Sequence, residues 1–437
     1  MIFFAIADIM GDLQKGRLPI MVTDTIYIEP AARYQCVPDC GFCCGFWNIP
    51  IDLTRKDRLL EKAWVREIDQ DLGKRKGQGV FKIIGQKDHS VIQRQQGTCS
   101  FINERKFCSI HALEGYEAKP LACQQFPFIY YQTPRGLEVF LDHSCPEIIQ
   151  NLGELVTPEE IQTRISFHEH VISVSPPIPL TSAIHLEWEN FLALEEALLN
   201  VLQKPYSFEE KIHCLQWIVC ETSKQLSADS SNIATYDAIQ AAMRRDPASF
   251  LAEIATQPSN RSKRDLYIAI LIQLVESVYS GEVGAERIGM FGLLKRIVRQ
   301  WKQAGQNDFH VFGFRVSYPD IDQIAYQVEK EPCKEILDRY LFHLVRRLVG
   351  TGNISILKRI SIIATNFAMV QWFSRAYAAS KQRTNVTKED IVFAIKVVEK
   401  FLGNSLFNKI AKERNFLSNY INFLYDNPQL PRTMLSS

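Results

Sequence analysis

Hydrophobic and polar positions follow two rhythms along this chain of 437 residues. Up to about residue 150 the apolar runs are short and broken by glycine, proline and polar turns, a pattern of short strands. Beyond Thr157 the apolar positions recur at helical spacing. In the first stretch, Gly45–Asp52 is apolar and β-prone, and a helix follows over about 54–75, with Leu59, Leu60, Trp64 and Ile68 on one stripe. Asp52 or Thr54 would cap it. Residues 79–94 read as a hairpin, and Cys99–Cys108 as a tight one that brings its end cysteines together. A short helix near 112–118 ends at Pro120, and a third hairpin turns at Thr133–Gly136.

Pro176, Pro177 and Pro179 mark the boundary, because three prolines in four residues cannot continue a helix. Helical patterns then run over about 183–204, 207–226, 233–257, 264–280, 285–304, 319–349, 353–381 and 387–424. Ser207 with Glu210, and Thr387 with Asp390, carry N-terminal capping signals. No internal repeat is visible. The expectation is an α+β protein, with a cysteine-rich metal-binding module of short strands at 30–150 and a mainly α-helical domain at 180–437.

The module's chemistry lies in sulfur. Cys36, Cys40, Cys43 and Cys44 fall within nine positions, and Cys99, Cys108, Cys123 and Cys145 follow, so eight of eleven cysteines lie in the first third. A loop that curls back between ligands two or three residues apart suits thiolate coordination of a metal or iron–sulfur cluster. Gly41 lets such a loop turn. Neighbours in an extended segment face opposite ways, so one of Cys43 and Cys44 is expected to join Cys36 and Cys40. The other would face a second set of thiols or the core. A disulfide framework fits poorly: the count is odd and the chain far exceeds a small stapled domain. Cys214, Cys220 and Cys333 read as small buried hydrophobes. His111 and His143 lie near thiols, and the favoured role for each is a hydrogen bond beside the site rather than a place in it.

Composition narrows the rest. Hydrophobic residues make up 46% and charged residues 23%, with a net charge of +1, so no global basic field argues for nucleic acid. The longest apolar run, near Leu266–Val275, falls short of a membrane span. The N-terminal apolar stretch lacks a leading positive region and carries Asp8, which argues against a signal peptide, and residues 1–20 add little that reads as structural, so Met21 is an alternative start. The expected location is cytoplasmic, with neither membrane nor nucleic acid as partner. His168 and His170 point apart on a helix and read as a solvated end. Arg339, Arg346 and Arg347 read as a charged helix face. No nucleophile elbow or phosphate-binding loop appears, so the sequence names no catalytic residue.

Cys36, Cys40, Cys43 and Cys44, then Cys99-Ser-Phe-Ile, Cys108-Ser-Ile and Cys123-Gln-Gln-Phe-Pro, resemble the YkgJ-like cysteine-cluster family of zinc- or iron-chelating proteins, which includes flagellin lysine N-methylases. The resemblance covers about residues 34–146, and Cys43–Asp52 is similar to the methylase branch. It implies a metal site of zinc or an iron–sulfur cluster. As the alternative, it implies a protein lysine N-methyltransferase with S-adenosylmethionine (SAM) as donor and a protein segment as substrate. The spacing of Cys36, Cys40 and Cys43 is similar to that of radical SAM clusters, but the strand–helix alternation of their barrel is missing.

Overall fold

The structure, a computed structural model, describes residues 25–36, 40–41, 49–76, 79–83, 90–95, 98–165, 171–228, 232–244, 247–256, 261–282, 292, 295–298, 302, 306–309, 314–350, 354–402, 425, 427 and 430–435. The chain divides into two compact units, one of residues 1–130, 136–171 and 278–287, the other of 131–135, 172–277 and 288–437. The secondary structure is α+β, with short strands gathered toward the N-terminus and helices dominating afterwards.

The first unit opens with β1 (Ile26–Ile28), β2 (Arg33–Tyr34) and β3 (Ile49–Ile51). The expected helix over 54–75 is two helices, α1 (Leu53–Leu60) and α2 (Ala63–Lys76). Asp52 caps α1, its Oδ1 accepting from the Arg55 amide at 2.9 Å. The break at Glu61–Lys62 follows from the apolar pattern. Six residues of straight helix would place Leu59 and Val65 about 120° apart, yet both are buried in one core with Leu72. Next come β4 (Phe81–Ile83) and β5 (Ser90–Ile92), the expected hairpin pair, with β3 added to the far side of β5. The pair β6 (Arg94–Gln95) and β7 (Thr98–Cys99) then leads into the cysteine loop.

That loop differs from the expectation in register. Cys99 pairs with Arg94, while Cys108 bridges to Ile102. The turn closes inside 103–107, where Asn103 Oδ1 accepts from the Phe107 amide at 3.0 Å and Lys106 takes a positive φ of 53°. Cys108 then caps α3 (Ser109–Glu114), which starts three residues earlier than the pattern suggested. A 3-10 turn (Tyr116–Ala118) precedes Pro120, and α4 (Leu121–Gln125) follows. The third hairpin is as expected, β8 (Phe128–Thr133) and β9 (Gly136–Leu141), with residues 131–135 at its tip belonging to the second unit. After α5 (Pro146–Gln150), β10 (Glu154–Leu155) pairs with β2, and α6 (Pro158–Ile165) leads towards β11 (Val171–Ser173). The largest sheet has the order β1-β9-β8-β11, with β1 parallel to β9.

Two small cores result. One gathers Ile49, Ile51, Leu59, Val65, Phe101 and Ile110. The other gathers Phe128, Tyr130, Leu137, Val139, Ile148 and Ile161.

In the second unit, β12 (Ile178–Pro179) and β13 (His185–Leu186) precede α7 (Trp188–Leu202) and α8 (Phe208–Ala228). The expected helix over 233–257 is split into α9 (Asn232–Arg244) and α10 (Pro247–Thr256), because Pro247 suits a first turn and not an interior. There follow α11 (Arg261–Glu282), β14 (Gln306–Phe309) and β15 (Phe314–Ser317). The pattern over 319–349 is α12 (Tyr318–Asp322), then α13 (Cys333–Arg346) begun after Pro332, then a 3-10 turn (Arg347–Gly350). The long α14 (Ile356–Ser380) is buried along most of its length and packs against α8, α15 (Lys388–Phe401) and α16 (Leu430–Leu435). Most of 285–304 and all of 403–424 lie outside the described residues. No described helix is long and apolar enough to cross a membrane.

Candidate metal centre

The two cores of the first unit leave between them a pocket enclosing about 960 Å3 of empty space, part of it open to solvent. Six of the eight predicted thiols line it: Cys36, Cys40, Cys99, Cys108, Cys123 and Cys145. Cys43 and Cys44 lie outside the described residues. Each of the six arrives by a local rule, Cys99 as the last residue of β7, paired with Arg94. Cys36 follows β2, whose start is held by Asn151: Oδ1 accepts from the Arg33 amide at 2.8 Å, and Nδ2 donates to Ala31 O at 3.1 Å. Asn151 itself ends α5 at a positive φ of 54°, a conformation asparagine tolerates.

Cys40 precedes Gly41, whose φ is +53° and whose absent Cβ would stand 2.9 Å from Lys106 O. Gly41 therefore lies directly on the Asn103–Phe107 turn, and only glycine allows the approach. Cys108 and Cys145 both occupy N-cap positions with extended backbone, at the starts of α3 and α5. Asp142 shapes the second of these by accepting from the Ser144 amide at 2.8 Å. Cys123 sits in α4, anchored by the next residue. Gln124 is 1% exposed, and its Nε2 donates to Lys119 O at 2.7 Å and Glu117 O at 3.1 Å.

The nine described cysteines are thiols, not disulfides. Among the described residues, no three of the six pocket thiols bring their sulfurs within 4.8 Å of one another. They line a cup wider than one closed tetrahedron, whose sulfurs sit about 2.3 Å from a single ion. As donors, these six thiols would be soft, which suits zinc or iron and not magnesium or calcium.

Residues 35–146 match the CxxCxxCC family. Its description is "Putative zinc- or iron-chelating domain", and that match supports metal binding by this segment. The chain is also similar to the flagellar biosynthetic protein FliU of Salmonella muenchen, 23% identical over 137 residues, which is 30% of this chain and 76% of the relative. No solved structure matches the chain significantly.

The CxxCxxCC segment carries pocket residues that spacing alone did not reveal. Lys106, Lys119 and Glu147 line the same space. Burial pushes the Glu147 carboxyl up from its ordinary value. The signals were present but generic: a lysine in a turn, and a glutamate after a Cys-Pro pair. His111 lines the pocket as well, stacked on Phe107 at 5.2 Å, its pKa lowered by burial and then by Lys119. His143 is not among the lining residues; its ring Nδ1 faces Leu141 O at 3.1 Å. His168 and His170 lie outside the described residues.

The three remaining cysteines belong to the second unit. Burial pushes the Cys214 thiol up to about 12 and also raises Cys220 and Cys333, so all three hold their protons at neutral pH. The arginines divide too. Arg339 pairs with exposed Glu335 along its own helix, the expected solvated face. Arg346 instead reaches buried Glu195 at 2.6 Å, and Arg347 lies 3.6 Å from buried Glu399.

Proposed function

We propose that the first unit binds zinc or an iron–sulfur cluster through thiolates drawn from Cys36, Cys40, Cys99, Cys108, Cys123 and Cys145, with Cys43 and Cys44 completing the set. The observation that carries this reading is the convergence of six thiols, from separate loops and helices, on one pocket. A hydrophobic core has no reason to collect that much sulfur at a cavity. Bound metal would hold these thiols as anions and tie the two small cores together. Anaerobic purification followed by iron, sulfide and zinc analysis tests it. Bound metal that falls on substitution of Cys99 or Cys123 is the expected result. Folded, metal-free protein whose six thiols all react with a thiol reagent overturns it.

A second reading makes the centre part of a SAM-dependent protein lysine N-methylase. It is favoured by the space that extends beyond the sulfurs to Lys119, Glu147 and His111, and by similarity to a protein named for flagellar biosynthesis. A ligand carboxylate would meet Lys106 or Lys119, and an amino group would meet Glu147. Calorimetry with SAM on anaerobic, metal-loaded protein tests it, using Cys40→Ser as the control. Binding that weakens in the variant supports the reading, and no heat with the intact protein removes it.

A further inference from the structure

One carboxylate in the thiol pocket is buried without a counterpart among the described residues. Glu147 lines the pocket close to Cys145 and is 8% exposed. Residues two apart on a helix face different ways. Cys145, however, is the extended cap of α5, with φ −81° and ψ 120°, so both residues line the same space. The backbone between them is fixed. The Ile149 amide donates to Cys145 O at 3.1 Å, and the Leu152 amide donates to Glu147 O at 3.0 Å.

A glutamate in the first turn of a helix ordinarily points to water, where the N-terminus favours its charge. This one is turned inward, and no hydrogen bond or ion pair to a described residue offsets its burial. The two lysines of the pocket do not supply the missing charge. Lys106 is exposed, and Lys119 carries its ammonium over the Tyr116 ring at 5.1 Å. A buried carboxylate is costly unless a cation or a metal meets it. The pocket's thiols already call for a metal.

We propose that Glu147 is an oxygen ligand of the metal centre held by these thiols. The inference rests on the first functional reading, and it takes Glu147 away from the amino group of the second. Among the described residues, its oxygens and any two of the thiols do not gather within 4.8 Å of one another. Glu147 is therefore not a corner of a single-ion tetrahedron with two of them. It fits a centre of more than one metal atom, one of which takes a carboxylate oxygen beside its sulfurs. Zinc and iron favour thiolate over carboxylate, so this position would be the first to exchange.

Release of metal to a chelator tests the assignment, using the full chain loaded anaerobically with zinc or with iron and sulfide. The parent is compared with Glu147→Gln, which keeps the shape without the charge, and with Glu154→Gln, an exposed control on β10. More than one metal atom per parent chain is expected, with release about tenfold or more faster from Glu147→Gln alone. Metal-free Glu147→Gln should melt no lower than the metal-free parent, since it loses a buried charge; a lower melt would show a packing role and overturn the proposal. A parent chain that takes up no metal overturns the proposal together with the reading beneath it. A metal-loaded parent matched in release rate by Glu147→Gln overturns the proposal alone, and weaker SAM binding in that variant would then return Glu147 to the second reading.

Discussion

At the scale of single residues, the same side chain serves two purposes. Cys333 starts a helix in the second unit, buried and raised in pKa, first by burial and then by the nearby carboxylates of Asp390, Glu389 and Glu331. Cys40 lines an open pocket with five other described thiols. Cys40→Ser should therefore lower bound metal and the melting temperature, while Cys333→Ser leaves metal content unchanged. Paired metal analysis and thermal melts check this, and equal small effects would count against a structural centre. Gly41 gives a second test at this scale. An alanine there would adopt a left-handed backbone and press its Cβ on Lys106 O at 2.9 Å. Gly41→Ala should cost about 1–2 kcal/mol in urea unfolding and reduce metal content. An unaltered unfolding midpoint would show that Gly41 does not press on the Lys106 turn.

At the scale of elements, caps and prolines decide where helices begin. Both capping boxes expected from the sequence form: Glu210 Oε2 accepts from the Ser207 amide at 2.7 Å, and Asp390 Oδ2 accepts from the Thr387 amide at 2.8 Å. Asp390 is fully buried and also holds Arg383 at 2.7 Å. Asp390→Ala should destabilise the helical unit by about 2 kcal/mol or more, since it removes a cap and leaves a guanidinium short of its partner. Helicity and midpoint by circular dichroism measure the loss.

The same elements show what the sequence could reveal. Periodicity found the long helices and the hairpins, because one buried face leaves a repeat of 3.6 or 2 that needs no partner to be seen. It missed the break between α1 and α2, which depends on where Leu59 and Val65 must both point. It also missed the true register of the Cys99–Cys108 loop, which the Asn103 turn sets. The thiols were legible because cysteine is rare and clustered. Lys106, Lys119 and Glu147 were not, since common surface residues acquire meaning only when folding brings them to one pocket.

At the scale of the whole molecule, acid is expected to act through neutral buried histidines. Burial, with Arg432 nearby, lowers the His213 pKa to about 4, and His343 is also lowered well below its ordinary value. Both groups take up a proton more readily when unfolded. Their contribution is therefore full above about pH 6.5 and is lost as the pH falls towards the folded value. For His213 alone the loss by pH 4 is on the order of 3 kcal/mol. Urea unfolding at pH 7 and pH 5 should show the decline, and His213→Asn should flatten it. A pH-independent midpoint in the parent protein would contradict the burial described here.

The thiols proposed as donors are scattered from Cys36 to Cys145, and this places the proposed centre in time as well as space. A chain emerges from its N-terminus forward, so the ribosome must deliver the whole first third before the last of the six sulfurs is available. Until then the early cysteines stand in an unfinished loop, as thiols open to oxidation and to the wrong metal. In the proposed centre, metal capture would thus be a late event in the synthesis of this unit. A nascent chain halted before residue 145 would hold metal loosely or not at all, whatever the supply.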